Sequence, residues 1–160
     1  MNAKAQSKER PSRELTFTRI FDAPRALVFG MWTDPKHVAQ WWGPRGFTNP
    51  VCEMDVRPGG ALRIVMRAPD GTEYPMPGIF RDVVAPERLV FTSFAEDAKG
   101  NRLLEALTTV TFVEHGGKTT LTVHARAVGL VPHAADMLAG MEAGWTQTLE
   151  RLAERVAATG

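Results

Sequence analysis

A single cysteine, Cys52, among 160 residues leaves no partner for an internal disulfide. The fold must hold by packing alone, which suits a reducing cytoplasm. An excess of charge of one sign is also missing. Nineteen Lys and Arg face 18 Asp and Glu, for a net charge of +1 at pH 7. That balance gives no footprint for nucleic acid. No amphipathic-free apolar run of the ~20 residues needed for a membrane span is found, so no membrane insertion is expected. Four histidines, His37, His115, His124 and His133, have no metal-ligand spacing, and one cysteine adds none. There is no Gly-x-Gly-x-x-Gly, no phosphate-binding loop and no Gly-x-Ser-x-Gly nucleophile elbow. Neither a cofactor nor a metal is therefore expected.

What is present is organised around the last stretch, Pro132 to Val156. At about 100° per residue, Ala134, Met137, Leu138, Met141, Trp145, Leu149, Leu152 and Val156 share one helical face. Asp136, Glu150, Arg151 and Glu154 fall opposite. Pro132 suits a first helical turn, so one continuous long helix is expected from there. Gly140 and Gly144 sit on its edge, suited to close approach of a strand or to space for a ligand.

The chain before it reads mostly as strand. Met1 to Glu14 is polar, with no apolar segment, and reads as a disordered tail ahead of one domain over residues 15–157. Leu15 to Phe21 alternates as a first strand. Pro24 to Trp32 and Pro35 to Trp42 read as two short helices, each opened by proline. From Thr48 the period becomes two. Strands are expected over Val51–Val56, Ala61–Ala68, Glu73–Val84, Arg88–Phe94, Leu103–Val113 and Thr119–Ala127. Pro69-Asp70-Gly71 and His115-Gly116-Gly117 mark hairpins. Pro75 and Pro77 suggest an edge or a bulge early in their strand. Short connections favour an antiparallel meander, curved around the long helix.

Several stretches together resemble a known family. They are Thr33-Asp-Pro-Lys-His-Val-Ala-Gln-Trp-Trp-Gly-Pro, Asp55-Val-Arg-Pro-Gly-Gly, Met66-Arg-Ala-Pro-Asp-Gly, Pro86-Glu-Arg-Leu-Val-Phe-Thr and Met141-Glu-Ala-Gly-Trp-Thr-Gln-Thr-Leu. Their order and spacing are similar to the activator-of-heat-shock-protein-ATPase-like family, within the START-like or SRPBCC superfamily that includes the birch-pollen-allergen-like proteins. The resemblance implies an α+β helix-grip fold: an antiparallel sheet of about six or seven strands gripping a C-terminal helix, with two small helices closing one end. It also implies a cavity between sheet and helix that takes apolar or amphipathic molecules such as lipids. The family's name points to a second role, a protein partner of co-chaperone type in stress response. Some superfamily members are cyclases or hydrolases.

The expected cavity lining follows from these two layers. Trp41 and Trp42 point ~100° apart, so one packs inward while the other reaches the cavity mouth. Met137, Met141 and Trp145 are the adaptable part of the helical stripe, whereas Leu149, Leu152 and Val156 read as plain core. On the strands Met66, Met76, Phe80, Phe91, Leu104 and Thr108 are candidates, with Phe47 and Phe94 as lids near loops. Each is equally readable as core packing, because a one-residue slip reverses a strand's faces. For acid–base work the best residue is His133, at the start of the helix, with Glu105 or Thr108 nearby; a solvated surface histidine is the plainer reading. His37 and His124 are expected to face outward. Glu53 and Asp55 read as a solvated face beside Arg57 and Arg63, and Cys52 as a half-buried inert thiol. Arg63 and Arg67 are placed on the outer face. The expected function is non-catalytic binding of a small apolar or amphipathic ligand, by a monomer or homodimer.

Overall fold

The computed structural model describes Arg10–Thr159. Its elements are β1 (Ser12–Phe21), α1 (Arg25–Thr33), α2 (Pro35–Trp41), β2 (Thr48–Met54), β3 (Ala61–Arg67), β4 (Glu73–Val84), β5 (Arg88–Glu96), β6 (Arg102–His115), β7 (Lys118–Gly129), α3 (Ala134–Ala139) and α4 (Met141–Thr159). The seven strands form one antiparallel sheet in the order β1-β7-β6-β5-β4-β3-β2. Strands β2 to β7 are a meander, and β1 closes on β7. Local chemistry explains the joints. Asp34 caps α2 by accepting from the Lys36 N–H at 2.9 Å, with Pro35 in the first turn. Asp70 accepts from the Thr72 N–H at 2.9 Å and shapes the β3–β4 turn.

The inner face of the sheet carries the core. Ile64, Phe80, Val110, Phe112, Leu121 and Val123 are at most 1% exposed and face α1, α2 and α4. From α4 the contribution is Leu149, Leu152 and Val156, as expected from the stripe. Arg63 and Arg67 lie on the outer face, paired with Glu53 and Glu73. Asp55 pairs with Arg57 at 2.8 Å, so Glu53 and Asp55 are the solvated face expected of them.

Four expectations need correction. First, the sheet begins before Leu15: Ser12 pairs with Val128 and Glu14 with Arg126. Thus Ser12–Glu14 belong to the fold, and only residues 1–9 of the expected tail lie outside the described residues. Second, the long helix is not continuous. It breaks at Gly140 (φ −85°, ψ −4°), leaving the six-residue α3 ahead of the 19-residue α4. The Arg13 guanidinium fills the break. It donates to the Leu138 carbonyl at 2.9 Å and the Ala139 carbonyl at 3.2 Å, and pairs with Glu142. Those carbonyls end a helix and lack full helical partners, and a cation there suits the helix dipole. Third, Pro75 and Pro77 lie in a strand inside the sheet rather than on an edge strand. Residues 73–77 nonetheless pair only with β3, because pairing with β5 begins at Gly78↔Ser93. The missing proline N–H groups thus fall on the stretch of β4 that has no partner in β5. Gly78 marks the junction: a Cβ there would lie 2.4 Å from the Thr92 carbonyl. Fourth, His37 does not face outward. It is half-buried and its Nδ1 accepts from Arg155 on α4 at 3.2 Å.

Candidate functional site

Beyond the end of the packed core, sheet and helices part around a cavity of about 450 Å³. This lies within the 300–1,000 Å³ range usual for small-molecule sites. The sheet side is made by β3 to β7, the helical side by α3, α4 and the loop after α2. The space exists because side chains are small where the two layers face each other. The sheet offers Ser93, Ala95, Ala106 and Ala127, and the helices offer Gly140 and Gly144. Farther along the same strands stand Phe80, Leu89, Val110 and Phe112, which fill the corresponding space.

Of the residues expected to line a cavity, Trp42, Phe47, Met66, Met76, Phe91, Phe94, Leu104, Thr108, Met137, Met141 and Trp145 do so. Two do not. Trp41 is wholly buried, and its indole N–H donates to the Met31 carbonyl at 3.0 Å. Phe80 is 1% exposed and edge-on to Phe91 in the packed core. Trp41 is core because it turns toward Met31 and Trp32, and Phe80 because its ring packs edge-on beneath Phe91. His133 is exposed, precedes α3 and does not line the cavity; Glu105 is exposed as well. The proposed acid–base grouping is therefore not assembled.

Several lining residues were missed. Tyr74 belongs to the same period-two row as Met76, and Ser93 to the row of Phe91. Ala106 lies between Leu104 and Thr108 on one face. Extending each row by one alternation finds all three. Thr148 follows Trp145 by one helical turn. Gly43 and Pro44 belong to the loop that forms the lip.

That lip is held by charge. Arg151 donates from Nη1 to the carbonyls of Trp42, Gly43 and Pro44 at 2.9–3.1 Å, and from Nη2 to Gln40 at 3.0 Å. Residues 40–44 end α2, so their carbonyls lack helical partners and need a donor. Arg151 was expected to face solvent with Glu150 and Glu154. Instead burial, and secondarily the nearby Arg45, lower its pKa from the usual arginine value. Arg45 continues the clamp: its N–H donates to Gln147 Oε1 at 3.1 Å, and its guanidinium pairs with Glu154 and Glu150. The Glu154 carboxyl is held below its ordinary pKa by that hydrogen bond. Cys52 is half-buried and away from the cavity; burial first, then Asp34 and Glu53, push its thiol up to about 11. At neutral pH it is therefore held as the thiol rather than the nucleophilic thiolate. Among the described residues no group of three or more His, Cys, Asp and Glu could hold a metal ion.

A curved antiparallel sheet, a long C-terminal helix and two short helices after the first strand define a helix-grip protein with a cavity between its layers. The chain belongs to the family described as activator of Hsp90 ATPase homolog 1-like protein, whose model matches residues 22–157. Solved structures agree. A Chromobacterium violaceum protein is 28% identical with a TM-score of 0.75, covering 89% of this chain and 96% of its own. The AHSA1 protein of Silicibacter pomeroyi is 25% identical with a TM-score of 0.75, covering 92% and 100%. An Arthrobacter aurescens protein is 25% identical with a TM-score of 0.76, covering 91% and 86%. No curated protein matches the chain. No helix among the described residues is long and apolar enough to cross a membrane.

Proposed function

We propose that this protein binds a small apolar or amphipathic molecule in the cavity, as a carrier or sensor without catalysis. The observation that carries this reading is the ~450 Å³ space lined mainly by Trp, Phe, Met, Leu and Ala side chains. Packed layers leave few spaces larger than a water molecule, so an apolar space this large between the sheet and the helices calls for an occupant. Met66, Met76, Met137 and Met141 supply unbranched, polarisable walls that adapt to varied apolar shapes. The test is native mass spectrometry of protein purified from its own host, then thermal-shift titration with apolar ligands. A specific ligand at a hundredfold excess over its dissociation constant adds about 2.7 kcal/mol of stability. Met141→Trp obstructs the cavity and is expected to abolish both the co-purified mass and the shift. Absence of any bound mass and of any shift across a chemically broad set overturns this reading.

A second reading, a protein-interaction module, is favoured by one surface feature. Ile20 and Val113 flank Thr120 on the outer face of the sheet, in register on β1, β7 and β6, and are 68% and 57% exposed. The family description is consistent with a protein partner. Ile20→Glu with Val113→Lys abolishes a pull-down interaction if this face is used, and leaves ligand binding unchanged.

A further inference from the structure

Building on the ligand-binding reading, we infer that Ser93 and Thr108 form a polar anchor at the closed end of the cavity, which selects a ligand with an uncharged oxygen function. The ligand class is thereby an apolar body carrying a terminal hydroxyl, ketone or ester, oriented with its polar end inward.

Burial locates the closed end. Thr108 is 2% exposed, Phe91 3%, Thr148 5% and Ser93 7%, whereas Tyr74, Asp136 and Gly140 at the other end are exposed. Hydroxyls this deep normally have partners. Thr148 has one: its Oγ1 donates to the Gly144 carbonyl at 2.8 Å. Thr92, on the opposite face of β5, accepts from Arg81 Nε at 3.0 Å. The Ser93 and Thr108 hydroxyls form no such bond among the described residues. They are not among the sealed-off unpaired atoms either, which are Trp32 Nε1 and Asn49 Oδ1. Both residues line the cavity, so their hydroxyls are left for whatever enters it.

Their placement suits one acceptor. Phe91 pairs with Thr108 and Ser93 with Ala106 across β5 and β6, so Ser93 and Thr108 are diagonal neighbours on the inner face. Such neighbours have Cβ atoms within about 7–8 Å. A hydroxyl hydrogen bond spans ~2.8 Å, so one ligand oxygen can reach both hydroxyls when they turn toward each other. Charge narrows the class further. The cavity lining holds no Lys, Arg or His, and its one charged residue is Asp136, on the exposed side. A carboxylate at the anchor would lose its hydration without gaining a cation, and an ammonium would gain no anion. An uncharged oxygen pays neither cost.

The experiment compares four probes on one carbon skeleton: lauryl alcohol, laurate, laurylamine and dodecane. Affinities are measured by calorimetry and competition in neutral buffer, for wild type and for Ser93→Ala, Thr108→Val and the double variant. Lauryl alcohol is expected to bind at least tenfold more tightly than laurate or laurylamine. Each single variant should weaken the alcohol by about 3- to 10-fold, from the usual net worth of one hydrogen bond, and leave dodecane unchanged. Thr108→Val keeps the side-chain shape, and thermal melts confirm that each variant folds. Equal binding of alcohol and laurate, or equal loss of alcohol and dodecane in the variants, overturns the anchor while the cavity reading stands. Failure of every probe to bind, together with no co-purified mass and no thermal shift across the chemically broad set, overturns both.

Discussion

Along one pair of layers the protein is solid at one end and hollow at the other. At the solid end, Leu149, Leu152 and Val156 share a cluster with Val28, Trp32 and Phe112. At the hollow end, Met137, Met141 and Trp145 face open space. The backbone plan is the same in both: sheet on one side, helix on the other. What differs is side-chain volume on the strands. Phe80, Leu89, Val110 and Phe112 fill the first end; Ser93, Ala95, Ala106 and Ala127 leave the second empty. Trp42 and Trp145 stand at the boundary, nearly perpendicular at 82° with centroids 5.6 Å apart. The cavity in this fold is thus a matter of residues subtracted from a core, not of a separate device added to it.

The comparison breaks most sharply under truncation. Leu152→Ala in the solid end should cost about 2–5 kcal/mol, since the site cannot collapse around the void. Met141→Ala in the hollow end should cost under about 1 kcal/mol, because that side chain already borders empty space. Urea melts of the two variants measure the contrast, and equal losses would contradict it. Next in size is the lip. Arg151→Met keeps the aliphatic stem but strands the carbonyls of Gln40, Trp42, Gly43 and Pro44. About 1–2 kcal/mol is expected, after discounting for partial exposure. Faster hydrogen exchange is expected around residues 42–47.

Filling should be asymmetric as well. Ala106→Leu enters open space and should shift stability by less than about 1 kcal/mol while weakening ligand binding. Val123→Phe enters a full core and should cost about 1–3 kcal/mol. Thermal melts with and without ligand separate the two. The smallest effect concerns Cys52, half-buried against the rim of the core on β2. Its folded pKa of about 11 exceeds the ordinary 9.0. The unfolded chain therefore loses the proton first, and stability falls as pH rises from 9 to 11. Below pH 9 this contribution is fully present. Cys52→Ala should flatten that part of the pH profile, and the wild-type thiol should react slowly with Ellman's reagent at neutral pH.

Periodicity carried most of the fold because each strand buries one face and α4 buries one stripe. The strand faces follow from alternation, and the division of α4 into Met-rich and Leu-rich halves is visible in the residues themselves. Position along a face was harder to read. Met76 and Phe80 share a row, yet only tertiary packing shows that Phe80 is sealed in the core while Met76 borders the open space. Trp41 and Trp42 have different directions from helical geometry alone, but their roles depend on partners outside their own helix, Met31 for Trp41 and Trp145 for Trp42. The break at Gly140 left no trace because its backbone stays near helical values, so the apolar stripe continues across it. Arg13 and Arg151 act on backbone carbonyls more than a hundred residues away, and no local pattern announces such partners.

The boundary between the two ends has an optical consequence. All four tryptophans of the chain meet there, with Trp32 at 4.7, 6.2 and 6.4 Å from Trp41, Trp42 and Trp145 between ring centroids. Chromophores this close share excitation, so light absorbed by any one of them is sampled by the two that border the cavity. The protein carries a built-in fluorescent reporter. A molecule arriving beside Trp42 and Trp145 alters the emission of the whole cluster without a label.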